Sequence, residues 1–294
     1  MLRMNEYAAK LIMPNDPFYP PLLLEIPNPP SRLFARGVLP IPSERTIAIV
    51  GTRKATSAGI RIAEEIAAKL AAAGFAIISG LAFGIDAAAH RGALKAGGKT
   101  IAVLGNGIDR IYPVSNEKLG LEIIRSGGTI ISEYEAGKPS LPANFLARNR
   151  IVSGLSEAVV VIEAPERSGS LSTAGHAAEQ GREVFVVPGP TNHQNYRGSH
   201  ALIRDGARLA ASANDILCDL GVTPPAEHKA AADDLNPEEA VIVSALRNAG
   251  CGLNIDRLVE LTRLEPQTVN TAVAILVLKG LVKEGNGIYE LWNL

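Results

Sequence analysis

Short stretches of Gly, Ser and Thr follow several strand-like segments of this sequence, a placement suited to gripping an anion. The first is Gly51-Thr52-Arg53-Lys54, with Thr56, Ser57 and Gly59 leading into a helix. Ser79-Gly80 comes next, and Gly84-Ile85-Asp86 opens a second helix; Gly105-Asn106-Gly107 and Ser168-Gly169-Ser170 follow. Small side chains let backbone N–H groups approach a phosphate, and the positive end of a helix dipole adds to the attraction. Arg53 stands at the mouth of the first loop, where a guanidinium pairs with an anionic oxygen. One such loop also serves as an ordinary turn; several converging on one rim make a phosphate-binding floor.

The phosphates are not those of a dinucleotide or ATP. The first loop lacks GxGxxG, and the second strand ends in Ser79-Gly80 where a ribose-binding carboxylate is expected. No GxxxxGK[ST] occurs, so no nucleotide cofactor is expected. The stretch from Lys138 to Arg150, KPSLPANFLARNR, combines cations with Phe145. Single-strand binders use that mixture, since charge tracks the backbone while an aromatic face or an amide such as Asn149 engages an unstacked base. Phe145 equally suits ordinary core packing. Arg148 and Arg150 lie about 200° apart on a helix, so one faces outward while the other anchors the helix. Asp86 and His90 are four residues apart and suit a structural cap and brace; no nucleophile beside them argues for acid–base catalysis. His176, His193, His200 and His228 have no ligand spacing, and no metal site is expected.

Apolar runs that alternate with helical stretches position these loops. The runs are residues 46–51, 75–80, 100–105, 129–134, 157–164, 183–189 and 207–212. Consecutive apolar residues predict strands covered on both faces, hence a mainly parallel sheet. Ile62, Ile66 and Leu70 recur at helical spacing, with Gly74 as the stop. The fold class is α/β, a doubly wound sheet whose ligand lies beyond the carboxyl ends of the strands. Residues 1–44 form a Pro-rich extension packed on the core, and 45–222 the sheet domain. Residues 223–234 form a linker, and 235–294 a small domain of three helices and two short strands, the order of a winged helix.

The formal net charge is −1, which gives no global field to attract a polyanion. Residues 223–294 carry a net −4 and residues 1–222 a net +3, so a nucleic acid would bind the first part. Cys218 and Cys251 form no CxxC or Cys/His set and read as thiols of a reducing compartment. The start of the chain has no signal-peptide pattern, and the longest apolar run, 272–278, is far short of a membrane span. A cytoplasmic protein with no membrane partner is expected.

FYPPLL with RLFARG, then VGTR, SGLAFGIDAAAH, GNGIDRIYP, SEY, NFLARNRIVSGLS, EA with SGSLSTA, and GREVFVVPGP occur in that order from Phe18 to Gly221. In them the chain resembles the DNA-processing protein A (DprA/Smf) family. The resemblance implies an extended Rossmann-like fold that binds single-stranded DNA without cutting it. It also implies homodimers that protect incoming DNA and load the RecA recombinase in natural transformation. The DNA pocket it implies comprises Gly51, Thr52, Arg53, Ser79, Gly80, Lys138, Phe145, Asn149, Arg150, Ser168, Gly169 and Ser170. The spacing around Lys138 varies in the family.

Two departures from the family pattern stand out. Many members begin with a small helical domain like a sterile alpha motif, and only about a dozen residues precede the Pro-rich segment here. The second departure is the acidic C-terminal segment. Its recognition helix offers Gln267, Thr268 and Asn270 but no early cation, which favours protein contact over duplex reading. Two rival functions belong to other classes. One is a nucleoside-monophosphate phosphoribohydrolase, whose PGGxGTxxE loop would correspond to Ser168–Thr173 with His176 near the place of the Glu. The other is a transcription regulator that senses a ligand through the sheet domain.

Overall fold

The structure, a computed structural model, describes residues 8–38, 45–223, 235–250, 252–285 and 287–291. The expected linker lies outside the described residues except for Thr223. Two compact units divide at residue 224.

The first unit is built on a nine-stranded sheet. Its strands are β1 (Lys10–Ile12), β2 (Leu33–Gly37), β3 (Thr46–Gly51), β4 (Ala76–Ser79), β5 (Thr100–Leu104), β6 (Thr129–Ser132), β7 (Ala158–Ile162), β8 (Glu183–Val186) and β9 (Arg208–Leu209). They lie in the order β1-β2-β6-β5-β4-β3-β7-β8-β9. Strands β3 to β9 run parallel to one another, while at one edge β2 pairs antiparallel with β6 and β1 antiparallel with β2. The chain steps from β3 to β6 in one direction, then returns to the other side of β3 with β7. That reversal leaves a crevice above the carboxyl ends of β3 and β7, the switch point of a Rossmann-like sheet.

Alternate residues of the strands serve two cores. Ile47, Ile49, Ile77, Val160 and Phe185 pack under α2 (Ser57–Ala72), α3 (Ile85–Lys95) and α8 (Ala213–Asp219). Ala48, Val50, Ile78, Val159 and Val161 point the other way, toward α5 (Pro142–Gly154) and α6 (Gly169–Glu179). Burial on both faces explains why these strands read as unbroken apolar runs. The Pro-rich segment joins the second core through Tyr19, Leu23 and Ile26. It does more than wrap. Leu33 and Ala35 are buried on either side of half-buried Phe34, an alternation that seats β2 against β6.

The second unit has α9 (Pro237–Ala249), α10 (Ile255–Thr262), α11 (Pro266–Leu278) and an antiparallel pair, β10 (Val282–Gly285) with β11 (Ile288–Leu291). Asn236 and Glu239 form a capping box at the start of α9, and Gly250 ends it in the left-handed conformation. Ile242, Leu246, Leu258, Val269 and Leu276 make its core. Among the described residues no helix is long and apolar enough to cross a membrane.

Candidate nucleic-acid interface

The loops at the switch point enclose a cleft of about 540 Å³. Of the residues singled out in the sequence, Gly51, Thr52, Arg53, Gly80, Phe145, Asn149, Ser168, Gly169 and Ser170 line it.

Gly51 ends β3 opposite Ile162 of β7. A Cβ there would lie 1.9 Å from the Ile162 carbonyl oxygen, so any side chain pushes the two central strands apart. Gly51→Ala is expected to cost about 1–3 kcal/mol, and urea denaturation checks it; an unchanged midpoint would mean the strands separate freely. Beyond Gly51, the Thr52 N–H donates to the carbonyl of Glu163 at 2.8 Å. The Glu163 side chain is wholly buried, and its backbone adopts φ +51°. It accepts from the Thr56 N–H at 2.9 Å, the Thr56 hydroxyl, Asn195 Nδ2 at 3.0 Å and the Tyr196 hydroxyl at 3.1 Å. Thr56 in turn caps α2 by accepting from the Gly59 N–H. Burial alone would raise the Glu163 pKa, but these hydrogen bonds outweigh it and hold the carboxyl below its ordinary value. A buried anion thus clamps the loop that carries Arg53.

The wall of the cleft is aromatic and cationic. Arg53 is exposed, with its guanidinium carbon 5.8 Å from the Phe145 ring centre. Phe145 lies on the backbone of Gly105, where a Cβ would come within 2.6 Å of the ring. Its own centre is 5.5 Å from that of Tyr112. Opposite, Ser168 caps α6 by accepting from the Ser170 N–H, and Asn149 Nδ2 donates to the Gly169 carbonyl at 3.1 Å. Gly169 is exposed, leaving the start of α6 open to a ligand.

Charge also lies beneath the cleft. Arg148 is buried, donates to the Val103 carbonyl and lies against Gly80, where a Cβ would come within 2.2 Å of Nη1. Burial pulls the Arg148 pKa down to about 10, partly offset by Asp86. Burial raises the Asp86 pKa, and Arg148 together with the N–H groups of Ala82 and Gly80 opposes the rise. Asp86 and His90 do not form the expected brace. Asp86 Oδ2 accepts from Gly80 and Ala82, tying down the loop after β4, whereas His90 Nδ1 meets Thr100 Oγ1 at 2.7 Å. Burial, with Arg148 and Arg91 nearby, pushes the His90 pKa down to about 3 and keeps the ring neutral.

Three of the expected residues lie outside the lining. Ser79 is buried and donates to the Ile49 carbonyl. Lys138 is exposed on its loop, 5.9 Å from the Tyr134 ring. Arg150 is paired with Glu133 at 2.6 Å and donates to the Asn28 carbonyl, so it holds the N-terminal segment. Of the two arginines on α5, Arg148 is therefore the inner anchor, and Arg150 is spent on an ion pair instead of facing free solvent. Tyr112 and Arg167 line the cleft although their sequence positions do not mark them as ligand residues, and Asp86 and Arg148 join them there. Among the described residues no group of three or more His, Cys, Asp or Glu is arranged to hold a metal ion.

A family model described as DNA recombination-mediator protein A matches residues 10–221. The chain belongs to that family. Among relatives of the DNA recombination-mediator protein A family, the Smf protein of Synechocystis is 46% identical over 222 residues, covering 73% of this chain and 55% of its own. Escherichia coli Smf is 44% identical, covering 70% and 55%. The DNA processing protein DprA of Streptococcus pneumoniae is 43% identical, covering 69% and 72%. The chain thus spans about half the length of the two Smf proteins. Among solved structures of the family, Streptococcus pneumoniae DprA superposes with a TM-score of 0.67 at 40% identity, covering 74% of this chain and 75% of that one. Helicobacter pylori DprA, whose structure is described as giving a unique single-stranded DNA binding mode, superposes with 0.65 at 29% identity, covering 74% and 98%.

Proposed function

We propose that the first unit binds single-stranded DNA in the switch-point cleft, as a recombination accessory protein and not an enzyme. The observation that carries this reading is the Arg53–Phe145–Tyr112 wall facing the open start of α6. An exposed guanidinium and N–H groups suit phosphates, while aromatic faces suit unstacked bases. A duplex offers its bases only at groove edges and would leave the aromatic faces unused. The single-stranded DNA binding mode described for Helicobacter pylori DprA supports the same ligand. The hydrolase reading loses ground because His176 lies outside the cleft, against Glu179. In this reading Gly51, Thr52, Arg53, Gly80, Phe145, Asn149, Ser168, Gly169 and Ser170 contact the strand. Lys138 is a cation along its exit, and Ser79 and Arg150 hold the frame. Family membership supports RecA loading, a homodimer and a cytoplasmic location as parts of the same proposal. In the second unit Val277 and Leu278 are exposed near the end of α11, which supports a winged helix used for protein contact.

Titration into labelled oligo-dT and a matched duplex at two salt concentrations tests the ligand. The expected result is tight, salt-sensitive binding to the single strand. Arg53→Ala is expected to weaken it about 10- to 100-fold, the worth of one charged hydrogen bond. The slope of log K against log salt should become shallower by about 0.7, one phosphate contact on a single strand. Equal affinity for the duplex, or an unchanged slope in the variant, would overturn the proposal.

A further inference from the structure

Tyr112 stands at the mouth of the cleft with 46% of its surface exposed. Phe83 is 49% exposed and Val114 72%, and Asn116 links their two segments by donating to the carbonyls of Leu81 at 2.9 Å and Ala82 at 3.2 Å. Exposed apolar side chains on two segments that are hydrogen-bonded together mark a surface kept for a ligand, and of the three Tyr112 lines the cleft itself. The ligand must offer flat apolar faces and anionic groups together, since the rim continues through Phe145 to Arg53. An unstacked nucleobase on a phosphate backbone does so.

The ring geometry says how such bases would be arranged. A base sandwiched between two rings needs about 7 Å, twice the ~3.4 Å spacing of stacked bases. The Phe145 and Tyr112 centres are 5.5 Å apart and their planes tilt by 38°, so no base fits between them. The two rings instead present successive, diverging faces.

We propose that Tyr112 is a second stacking platform, holding on its outer face the nucleobase next to the one on Phe145. The inference rests on the single-strand reading of the cleft. It implies that two neighbouring bases are splayed from each other as the strand leaves the pocket, so occupancy of Tyr112 needs more than one nucleotide.

Tyr112→Leu removes the π-face and Tyr112→Phe keeps it; the ring is exposed, and thermal melts of both variants should be unchanged. Tyr112→Leu is expected to weaken oligo-dT binding roughly 5- to 150-fold, the range for one base stacked on an aromatic ring, and Tyr112→Phe to leave it within about twofold. On an oligomer of abasic deoxyribose phosphates, which keeps the charge and lacks the bases, Tyr112→Leu should match the unaltered protein. Tyr112→Trp supplies a reporter, since the sequence otherwise has only Trp292, and its emission should change when oligo-dT binds and not when the abasic oligomer does. If Tyr112→Leu binds oligo-dT normally while Arg53→Ala does not, the platform is wrong and the cleft stands. Loss of equal size on the abasic oligomer also overturns the platform. If neither variant weakens oligo-dT binding, the cleft itself is not the single-strand site.

Discussion

The Arg148→Leu protein is expected to lose about 3–5 kcal/mol of stability, the usual result of removing one partner from a pair of buried charges. Arg148 is the cation that offsets burial for Asp86, and its guanidinium fills the space over Gly80. Leu supplies apolar volume but neither the charge nor the bond to the Val103 carbonyl. The loss should depend on pH with a definite sign. The Asp86 pKa is already raised above its ordinary 3.8 in the folded state, so the folded protein holds that proton more tightly than the unfolded chain. Stability therefore falls as pH rises from the unfolded value to the folded one. Without Arg148 the folded value climbs further, and the gap between variant and parent widens as pH rises from the parent's folded value to the variant's. Urea denaturation from about pH 4.5 to 8 measures it. Asp86→Asn added to Arg148→Leu should abolish the widening; a gap that stays flat with pH in the single variant would remove Asp86 from the account.

Glu163→Gln keeps the shape of the buried side chain and removes its charge. The Thr56 N–H and Asn195 Nδ2 can only donate and keep the amide oxygen, so the amide NH2 meets the Thr56 and Tyr196 hydroxyls, which now donate to the carboxylate and would have to turn and accept. With hydrogen bonds to charged groups worth about 1.5–3 kcal/mol each, a loss of about 2–4 kcal/mol is expected. Its pH dependence has the opposite sign to that of Asp86. The folded pKa of Glu163 is depressed below its ordinary 4.5, so its contribution is complete above that value and fades as pH falls through the folded one. The clamp also sets the Arg53 loop, so oligo-dT affinity should drop. In an Arg53→Ala background the drop should largely vanish, because both changes act through the same loop. Full additivity in that double-mutant cycle would show that Glu163 supports the fold without placing Arg53.

The sheet is legible in the sequence because its strands are apolar at almost every position, and because glycines and small hydroxyls mark where they end. The β2 strand is harder to see, as Pro29 and Pro30 precede it and Arg36, which is buried beside Ala35, breaks its apolar pattern. Within the site, Gly51, Arg53 and Ser168 declare themselves through loop position. Arg150 does not, since nothing local reveals that Glu133, 17 residues away, takes its charge. In sequence, Arg148 and Arg150 are equivalent candidates; only the packing of α5 over Gly80 decides which arginine turns inward. Asp86 and His90 have the spacing of a pair, yet Gly80 and Thr100 lie nearer to each, and those contacts span separate strands. Tyr112 is concealed by company: Ile-Asp-Arg-Ile-Tyr-Pro looks like a loop held by its apolar residues, and Ile111 is indeed buried beside it.

The central position of β3 carries a consequence for biosynthesis. Its partner on one side, β4, begins at Ala76, soon after β3 ends at Gly51. Its partner on the other side, β7, begins only at Ala158, after three further strands have been made. Until β7 leaves the ribosome, the carbonyl that receives the Thr52 N–H and the carboxylate that holds Thr56 do not yet exist. The start of α6, facing Arg53, arrives later still. A nascent chain at that stage therefore carries the Arg53–Tyr112–Phe145 wall without the opposite side of the cleft, and completes its grip late, as Glu163, the start of α6 and then Asn195 and Tyr196 are added.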